Sequence, residues 1–177
     1  MTPFLVAATN GNNEVVGVML EHFKNEEKVR LWAAEDDNDR TAVHLIALKA
    51  HRQMDPKVVS EWVNALELIV EDVLLKEKMT GNKNLLKRLL NNRDESGNTA
   101  LHFASKNGCK QITKILIDNG ANLILKNEDE RTALMNASKM DHWEIIEQLV
   151  VKNPSLLNDV DEHGDTALHL ACLNGQY

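Results

Sequence analysis

One short phrase recurs along this chain and constrains its fold more than any other feature. It reads Thr-Ala-Leu-His from Thr99 and from Thr166, Thr-Ala-Leu-Met from Thr132 and Thr-Ala-Val-His from Thr41. Thr99 and Thr132 are 33 residues apart, and Thr132 and Thr166 are 34 apart. A fixed period of about 20 to 50 residues is typical of solenoids, whose repeats bury their apolar faces only against one another. The 177 residues therefore have room for about five repeats.

The fullest copy of the repeat carries a family resemblance. Its matching positions are Asp94, Gly97, Thr99, Leu101, His102, Ala104, Gly108, Ile115, Leu116, Gly120 and Ala121. This stretch resembles an ankyrin repeat, whose pattern is D-x-x-G-x-T-P-L-H-x-A-A-x-x-G-x-x-x-x-V-x-x-L-L-x-x-G-A. The resemblance implies an all-α ankyrin-repeat solenoid with β-turn connections. It does not fix the function, because one fold serves many unrelated activities.

The resemblance predicts a single ankyrin-repeat domain over residues 1–177, with an incomplete first and last repeat. The predicted repeats span about 1–35, 36–93 with an insert at 55–90, 94–126, 127–160 and 161–177. In the last repeat Leu168, Leu170, Ala171 and Leu173 would lose the helix that covers them. Terminal repeats of a solenoid normally present a polar outer face. We therefore expect a fragment of a longer stack, whose neighbours are adjoining ankyrin repeats of the parent chain.

Two segments are longer than the period. Between Thr2 and Thr41 the extra residues predict a short added helix within 24–34. In the second repeat Asp55-Pro56 predicts a helix start, and apolar residues continue at helical spacing to about Lys76. A loop is predicted at 78–82, followed by a short apolar turn from Leu85 to Leu90. The insert is either an enlarged outer helix pair on the convex side or a partner-specific or regulatory element.

Several repeats depart from the pattern at single positions. Asp39 and Glu130 replace the turn glycine, Asp141 replaces the glycine between the helices, and Met135 replaces the histidine. Aspartate tolerates left-handed backbone better than most residues. We therefore expect the turn at Asp39 to be retained, and the substitutions in the fourth repeat to change loop detail without abolishing the repeat.

Composition and charge narrow the class of partner and the compartment. The formal net charge is −7, and no sequence-wide basic footprint favours nucleic acid as a partner. Cys109 and Cys172 lack metal-ligand spacing, so we expect both to be buried small residues in a reduced compartment. No run of about 18 apolar residues suggests a membrane span. These observations favour a cytoplasmic protein without membrane insertion in this segment.

No pattern in the chain points to catalysis. His44, His102 and His169 recur at the repeat period, which spaces them along a solenoid and argues against one shared site. The resemblance implies that each is a structural residue, hydrogen-bonded to its threonine and to a neighbouring loop. Phosphate-loop, zinc-protease and nucleophile-elbow motifs are absent. We therefore predict no enzyme activity, no catalytic residue, no cofactor and no metal.

The candidate functional surface is the concave face. The resemblance implies that partners dock on turn tips and inner helices, at Asp37, Asn38, Arg40, Leu48, Lys49, Glu95, Ser96, Asn98, Lys106, Asn107, Glu128, Asp129, Arg131, Lys139, Met140, Glu162, His163 and Asp165. The tips are mostly acidic, and Lys49, Lys106 and Lys139 are expected to align beside them. An acidic ridge next to a basic row predicts a protein partner with a basic stripe, bound faster at low salt. The alternative is that these are ordinary solvated turns.

Three functions remain open from the sequence. The first is a non-catalytic scaffold for protein–protein interaction. The second is a cytosolic ankyrin segment of a membrane channel, because the irregular repeats are similar to the stacks of transient-receptor-potential channels. The third is a targeting module fused to an enzyme, as in ankyrin-containing kinases or microbial effectors.

Overall fold

The structure is a computed structural model that describes residues 2–22, 31–51 and 53–173. Within these ranges the chain forms helices joined by turns, and no residue is in a β-strand. The α-helices are α1 Pro3–Thr9, α2 Asn13–His22, α3 Ala42–Lys49, α4 Pro56–Thr80, α5 Leu85–Leu90, α6 Ala100–Asn107, α7 Lys110–Asp118, α8 Ala133–Lys139, α9 Trp143–Lys152 and α10 Ala167–Leu173. A 3-10 helix, Pro154–Asn158, follows α9.

The helices form two layers. The inner layer stacks α1, α3, α6, α8 and α10 in chain order, while α2, α4, α7 and α9 form the outer layer. Each of the first four inner helices also packs against the outer helix that follows it, and one continuous apolar core lies between the layers. This is the predicted all-α solenoid with an enlarged second repeat.

The recurring phrase determines where each inner helix begins. Thr2, Thr41, Thr99 and Thr132 have extended backbone and occupy the position just before a helix. The apolar residues that follow them are buried between neighbouring repeats. A threonine in this position suits a helix start because its side chain can bond the free polar groups of the first turn. The same local chemistry therefore starts each repeat in the same way.

The second repeat is enlarged mainly by α4, which is 25 residues long. It begins as predicted, because Asp55 Oδ1 accepts the Lys57 N–H at 2.7 Å and Pro56 occupies the first turn. The predicted loop at 78–82 is wrong for its first three residues, which are helical. The helix continues through Thr80 because no residue breaks it before Gly81, whose φ of 73° provides the left-handed cap.

Helix α4 is the outer helix of its repeat, since it packs against α2 on one side and α7 on the other. The indole N–H of Trp62 donates to the Thr9 carbonyl at 3.3 Å, and that of Trp32 donates to Asp72 Oδ2 at 3.0 Å. These contacts favour the interpretation of the insert as an enlarged outer element. Of the short helix predicted within 24–34, Leu31 and Trp32 are helical and residues 24–30 lie outside the described residues.

The two cysteines differ in their surroundings. Cys109 is buried as predicted, and burial raises the pKa of its thiol. The prediction for Cys172 is wrong, because it is exposed on α10 beside Leu168 and Leu173, which are 71% and 73% exposed. No described residue covers that side of α10. Leu170, also expected to lose its cover, is buried instead, because α10 packs against α8.

Replacing Ser105 with alanine is expected to stabilise the protein by about 0.5 to 1 kcal/mol. The Ser105 hydroxyl is buried and has no hydrogen-bond partner among the described residues, whereas the equivalent positions in the first two repeats hold the buried Ala8 and Ala47. Removing an unsatisfied polar atom there restores the packing that the chain uses elsewhere. Urea denaturation followed by circular dichroism measures the change, and a lower free energy of unfolding in the variant would contradict it.

Candidate protein-binding face

The face predicted to bind a partner is bordered by turn tips that share one backbone geometry. The described residues contain four of these tips, at 36–40, 94–98, 127–131 and 161–165. In each, the N–H of the first residue donates to the carbonyl of the fifth, at 2.9 to 3.0 Å. The first side chain also accepts backbone N–H groups from inside its own tip: Asp94 Oδ1 accepts from Ser96 at 3.0 Å and from Asn98 at 2.7 Å. Short polar side chains favour turns for this reason.

The fourth residue of each tip has left-handed backbone. Its φ is 60° at Asp39, 74° at Gly97, 57° at Glu130 and 81° at Gly164. The turn at Asp39 is therefore retained, as predicted, and Glu130 keeps the same geometry in the fourth repeat. Asp141, which replaces the glycine between the helices, likewise has a φ of 56°. Non-glycine residues in this conformation carry strain of about 1 kcal/mol or more, which the surrounding hydrogen bonds offset.

Neighbouring tips are joined into a ladder. The N–H of the second residue in one tip donates to the third carbonyl of the preceding tip: Glu95 to Asn38 at 3.1 Å, Glu128 to Ser96 at 3.0 Å and Glu162 to Asp129 at 3.2 Å. The second residues are therefore held in one row with exposed side chains. We call Asp37, Glu95, Glu128 and Glu162 the acidic ridge.

The arginines of the tips are engaged inside the protein. Arg40 bonds Asp36 at 2.8 Å, and Arg131 bonds Asp161 and Asp129, both at 3.2 Å. Burial by itself raises the pKa of Asp36 and Asp161. Their hydrogen bonds to the arginines and to backbone N–H groups outweigh it and lower both pKa values below the usual range. These arginines stabilise the tips, and their side chains are less available to a partner than those of the acidic ridge.

His44 and His102 each link their threonine to a neighbouring loop, as predicted. The His102 Nδ1 accepts the Thr99 N–H at 3.1 Å, so the ring proton lies on Nε2 and is donated to the Arg131 carbonyl at 3.0 Å. His44 makes the same bonds to Thr41 and to the Asn92 carbonyl. His169 bonds only Thr166 within the described part of the chain.

Acidification is expected to destabilise the protein through His102 before its carboxylates titrate. Burial lowers the pKa of His102 to about 4 from an ordinary value of 6.5, and burial also lowers that of His44. Below pH 6.5 the unfolded chain binds protons that the folded chain does not, so the free energy of unfolding falls. For His102 the loss is about 1 kcal/mol between pH 7 and pH 5.5.

The measurement is urea denaturation of the wild type and His102→Met across that pH range. Methionine is the residue that the chain itself uses at the equivalent position, Met135, where the sulfur lies 3.4 Å from the Thr132 nitrogen. Methionine does not titrate, so the free energy of unfolding of the variant should fall less steeply with decreasing pH than that of the wild type. The difference should correspond to one histidine proton. Equal slopes in the two proteins would contradict the assignment.

A cleft of about 300 Å³ lies between two tips and two inner helices, α6 and α8. We call it the concave cleft. Its lining includes eight of the predicted residues, which the structure brings together: Ser96, Asn98, Lys106, Glu128, Asp129, Arg131, Lys139 and Met140. Sequence reasoning missed Phe103, Asn127 and Asn136, which also line it. Phe103 and Asn136 each stand four residues after a repeat threonine, so the period itself could have identified them.

The predicted row of three lysines is wrong at one position. Lys106 and Lys139 are each seven residues after their helix-starting threonine, but Lys49 is eight after Thr41. One residue turns the helix by about 100°, so Lys49 faces another direction. Leu48 is the residue equivalent to the other two lysines. The basic side chains of the concave cleft are therefore Lys106, Lys139 and Arg131, of which Arg131 is engaged with Asp129 and Asp161.

The remaining predicted residues lie outside the concave cleft. Asn107 makes internal bonds, because its Nδ2 donates to the Ala47 and Leu48 carbonyls at 3.1 and 2.7 Å. The others lie in the tip at 36–40, near the end of α3, in the tip at 94–98 or in the tip at 161–165; they are Asp37, Asn38, Arg40, Leu48, Lys49, Glu95, Glu162, His163 and Asp165.

Residues 2–22, 31–51 and 53–173 contain no group of three or more His, Cys, Asp or Glu side chains that could hold a metal ion. In the same ranges no helix has the combined length and apolar character that crossing a membrane requires.

The structure is a solenoid of stacked helix pairs. Hydrogen bonds join its neighbouring tips, and its concave face is polar, as in solenoids that bind partners on that face. A family model built from three copies of the ankyrin repeat matches residues 71–127, and a second model, built from many copies, matches residues 116–171. Together the two models span more than half of the 177 residues. The chain belongs to the ankyrin-repeat family, whose members are protein-interaction modules.

Similar proteins share this repeat but are much longer. A transient receptor potential cation channel subfamily A member 1 homolog of Caenorhabditis elegans is 28% identical over 174 residues, 98% of this chain and 12% of the relative. An E3 ubiquitin-protein ligase of Arabidopsis thaliana is 37% identical over 78 residues, 44% of this chain and 15% of the relative. Ankyrin repeat and KH domain-containing protein mask-1 of C. elegans is 26% identical over 208 residues, 98% of this chain and 8% of the relative.

Proposed function

We propose that this chain is a non-catalytic binding module and that a protein partner docks in the concave cleft. The observation that supports this proposal is that acidic and basic side chains line opposite sides of the cleft. Glu128 and Asp129 stand on the tip side, and Lys106 and Lys139 stand on the helix side. A groove of this kind is suited to an extended protein segment that carries both signs of charge.

The ion pairs that these side chains do and do not form within the protein indicate the chemistry of the partner. Among the described residues, Glu128, Lys106 and Lys139 form no ion pair within the protein, and all three are exposed. Lysine or arginine side chains of a partner would pair with the acidic ridge, and its carboxylates or carbonyls would accept from the two lysines. Pairs at an exposed rim mainly raise the association rate and are screened by salt.

The test compares three baits in quantitative pull-downs from cell lysate, read by mass spectrometry. They are the wild type, a ridge variant (Glu95→Lys, Glu128→Lys, Glu162→Lys) and a control variant (Glu61→Lys, Glu67→Lys, Glu71→Lys). The control makes the same charge change on exposed positions of α4. A partner lost by the ridge variant and kept by the control is expected, with association slowed at high salt. Equal retention by all three baits would exclude docking on the ridge.

One match favours a second proposal about the parent protein. The channel homolog and mask-1 each align with 98% of the chain, including the enlarged second repeat, whereas the ligase aligns with 44% of it. The alignment with the channel homolog has the higher identity of the two, 28% against 26%, and spans 174 residues against 208, so it needs fewer insertions. We infer that the chain is a cytoplasmic ankyrin segment of a channel of the transient-receptor-potential type. A targeting module of an enzyme is the competing assignment. Sequencing the full transcript separates them, because a channel needs several apolar spans of about 20 residues and a ligase needs a catalytic domain.

A further inference from the structure

A basic segment stands out in this acidic chain. Residues 83–93 contain Lys83, Lys87, Arg88 and Arg93 and no acidic residue, although the whole chain has a net charge of −7. The segment covers the end of the insert of the second repeat and the three residues after it, and none of these residues lines the concave cleft. Its charge therefore has no role in the function proposed above.

The structure turns these cations outward. Helix α5 buries Leu86, Leu89 and Leu90, which leaves Lys87 and Arg88 on the exposed side. No carboxylate of the described residues forms an ion pair with Lys83, Lys87 or Arg88. An unneutralised cluster of like charges costs free energy in the folded state, and an anionic partner would remove that cost.

Lys87, Arg88 and Arg93 line a shallow cleft of about 550 Å³, formed by α5 with the residue before it, the segment that follows it and the loop after α7. Its walls are fixed by two hydrogen bonds between repeats: Asn91 Oδ1 accepts the Asn122 N–H, and Arg93 Nη2 donates to the Lys126 carbonyl, both at 2.7 Å. Asparagine and cationic side chains make up seven of the eight lining residues, the exception being Leu125. We call this the basic cleft.

We propose that the basic cleft binds an acidic segment of a second protein, rich in aspartate and glutamate. Carboxylates would pair with Lys87 and Arg88, and the amide groups of Asn84 and Asn92 can donate to carboxylate or main-chain oxygens. This surface shares no lining residue with the concave cleft, so the chain would hold two partner segments at once.

The other anionic macromolecules fit the observations less well. A membrane surface would be met by exposed apolar side chains among the cations, but α5 turns its leucines inward and three of the cations line a concavity. A nucleic acid would meet the acidic ridge and a net charge of −7 as well as this local patch. A short acidic peptide would contact only the basic cleft.

The test measures fluorescence anisotropy of a labelled peptide of twelve alternating Glu and Asp residues at low salt. The proteins compared are the wild type, Lys87→Glu with Arg88→Glu, the neutral pair Lys87→Gln with Arg88→Gln, and a control, Lys57→Glu with Lys114→Glu. The control makes the same change in charge at exposed positions away from the basic cleft. Circular dichroism verifies that each variant is folded, and the neutral pair serves if charge reversal unfolds α5.

We expect the affinity of the peptide to fall at least tenfold in the reversed pair, to a smaller extent in the neutral pair, and less than twofold in the control. Equal affinity in all four proteins, or no binding by the wild type, would overturn the proposal. So would tighter binding of a single-stranded oligonucleotide or of phosphatidylserine-containing vesicles than of the peptide. The ridge variant should bind the peptide normally, so failure here is distinguishable from failure of the concave cleft.

Discussion

Replacing His102 with alanine is expected to lower the free energy of unfolding by about 3 kcal/mol. His102 is 2% exposed, and its ring joins the start of α6 to the Arg131 carbonyl in the next tip. Alanine removes the acceptor for the Thr99 N–H and the donor for that carbonyl, and it leaves a cavity between two repeats. Each buried polar group left unpaired costs about 1 to 3 kcal/mol.

His169 provides a matched control within the same chain. It makes the same contacts to its threonine, with Nδ1 3.2 Å from the Thr166 nitrogen, but it is exposed on α10. His169→Ala should therefore cost less than about 1 kcal/mol, the usual size of an exposed capping interaction. The difference between the two variants measures the buried link between repeats.

Urea denaturation at pH 7, where the buried His102 is neutral, provides both values. A cost for His102→Ala no larger than that for His169→Ala would show that the inter-repeat bond contributes nothing. His102→Met should fall between the wild type and the alanine variant, because it refills the cavity but cannot donate to the Arg131 carbonyl.

The features predicted best from the sequence are those set by neighbouring residues. Threonine before each inner helix, Asp55-Pro56 at the start of α4 and the turn at Asp39 all depend on contacts within about five residues. The period then fixes the stack, because each repeat can bury its apolar face only against the next. This is why an all-α solenoid follows from a recurring phrase.

Several features that were mispredicted or missed depend on distant residues. The Trp32 to Asp72 hydrogen bond spans 40 positions, and the bonds from Asn107 to Ala47 and Leu48 span 60 and 59. No local pattern indicates that Asn107 is engaged in this way. The exposure of Cys172 likewise depends on which residues cover α10, and that cannot be read from α10 itself.

The candidate site was partly predictable for the same reason. Its tips repeat with the period, so Glu128, Asp129 and Ser96 could be placed from the pattern. The alignment of Lys49 with Lys106 failed because it counted charges along the chain instead of positions after the helix start. Counting from the threonine identifies Leu48, and it also identifies Phe103 and Asn136, two of the lining residues that were missed.

Replacing Gly97 with alanine is expected to destabilise the protein by about 3 kcal/mol. The φ of 74° disfavours any side chain, and a Cβ there would lie 2.7 Å from Arg93 Nη2 and 3.1 Å from the Glu128 nitrogen. Arg93 could move only by giving up its bond to the Lys126 carbonyl, and Glu128 only by giving up its bond to Ser96. The substitution therefore forces apart two tips that form the concave cleft.

Position 130 separates backbone strain from crowding. Glu130 has the same conformation in the next tip, with a φ of 57°, yet it accommodates a full side chain. Glu130→Ala should change stability by less than about 0.5 kcal/mol, and Glu130→Gly should be neutral or stabilising by up to about 1 kcal/mol, because strain is relieved. If Gly97→Ala costs no more than Glu130→Ala, the contact between tips is not what requires glycine. If it costs the expected amount and also weakens partner binding, the spacing of the tips both stabilises the stack and shapes the cleft that binds.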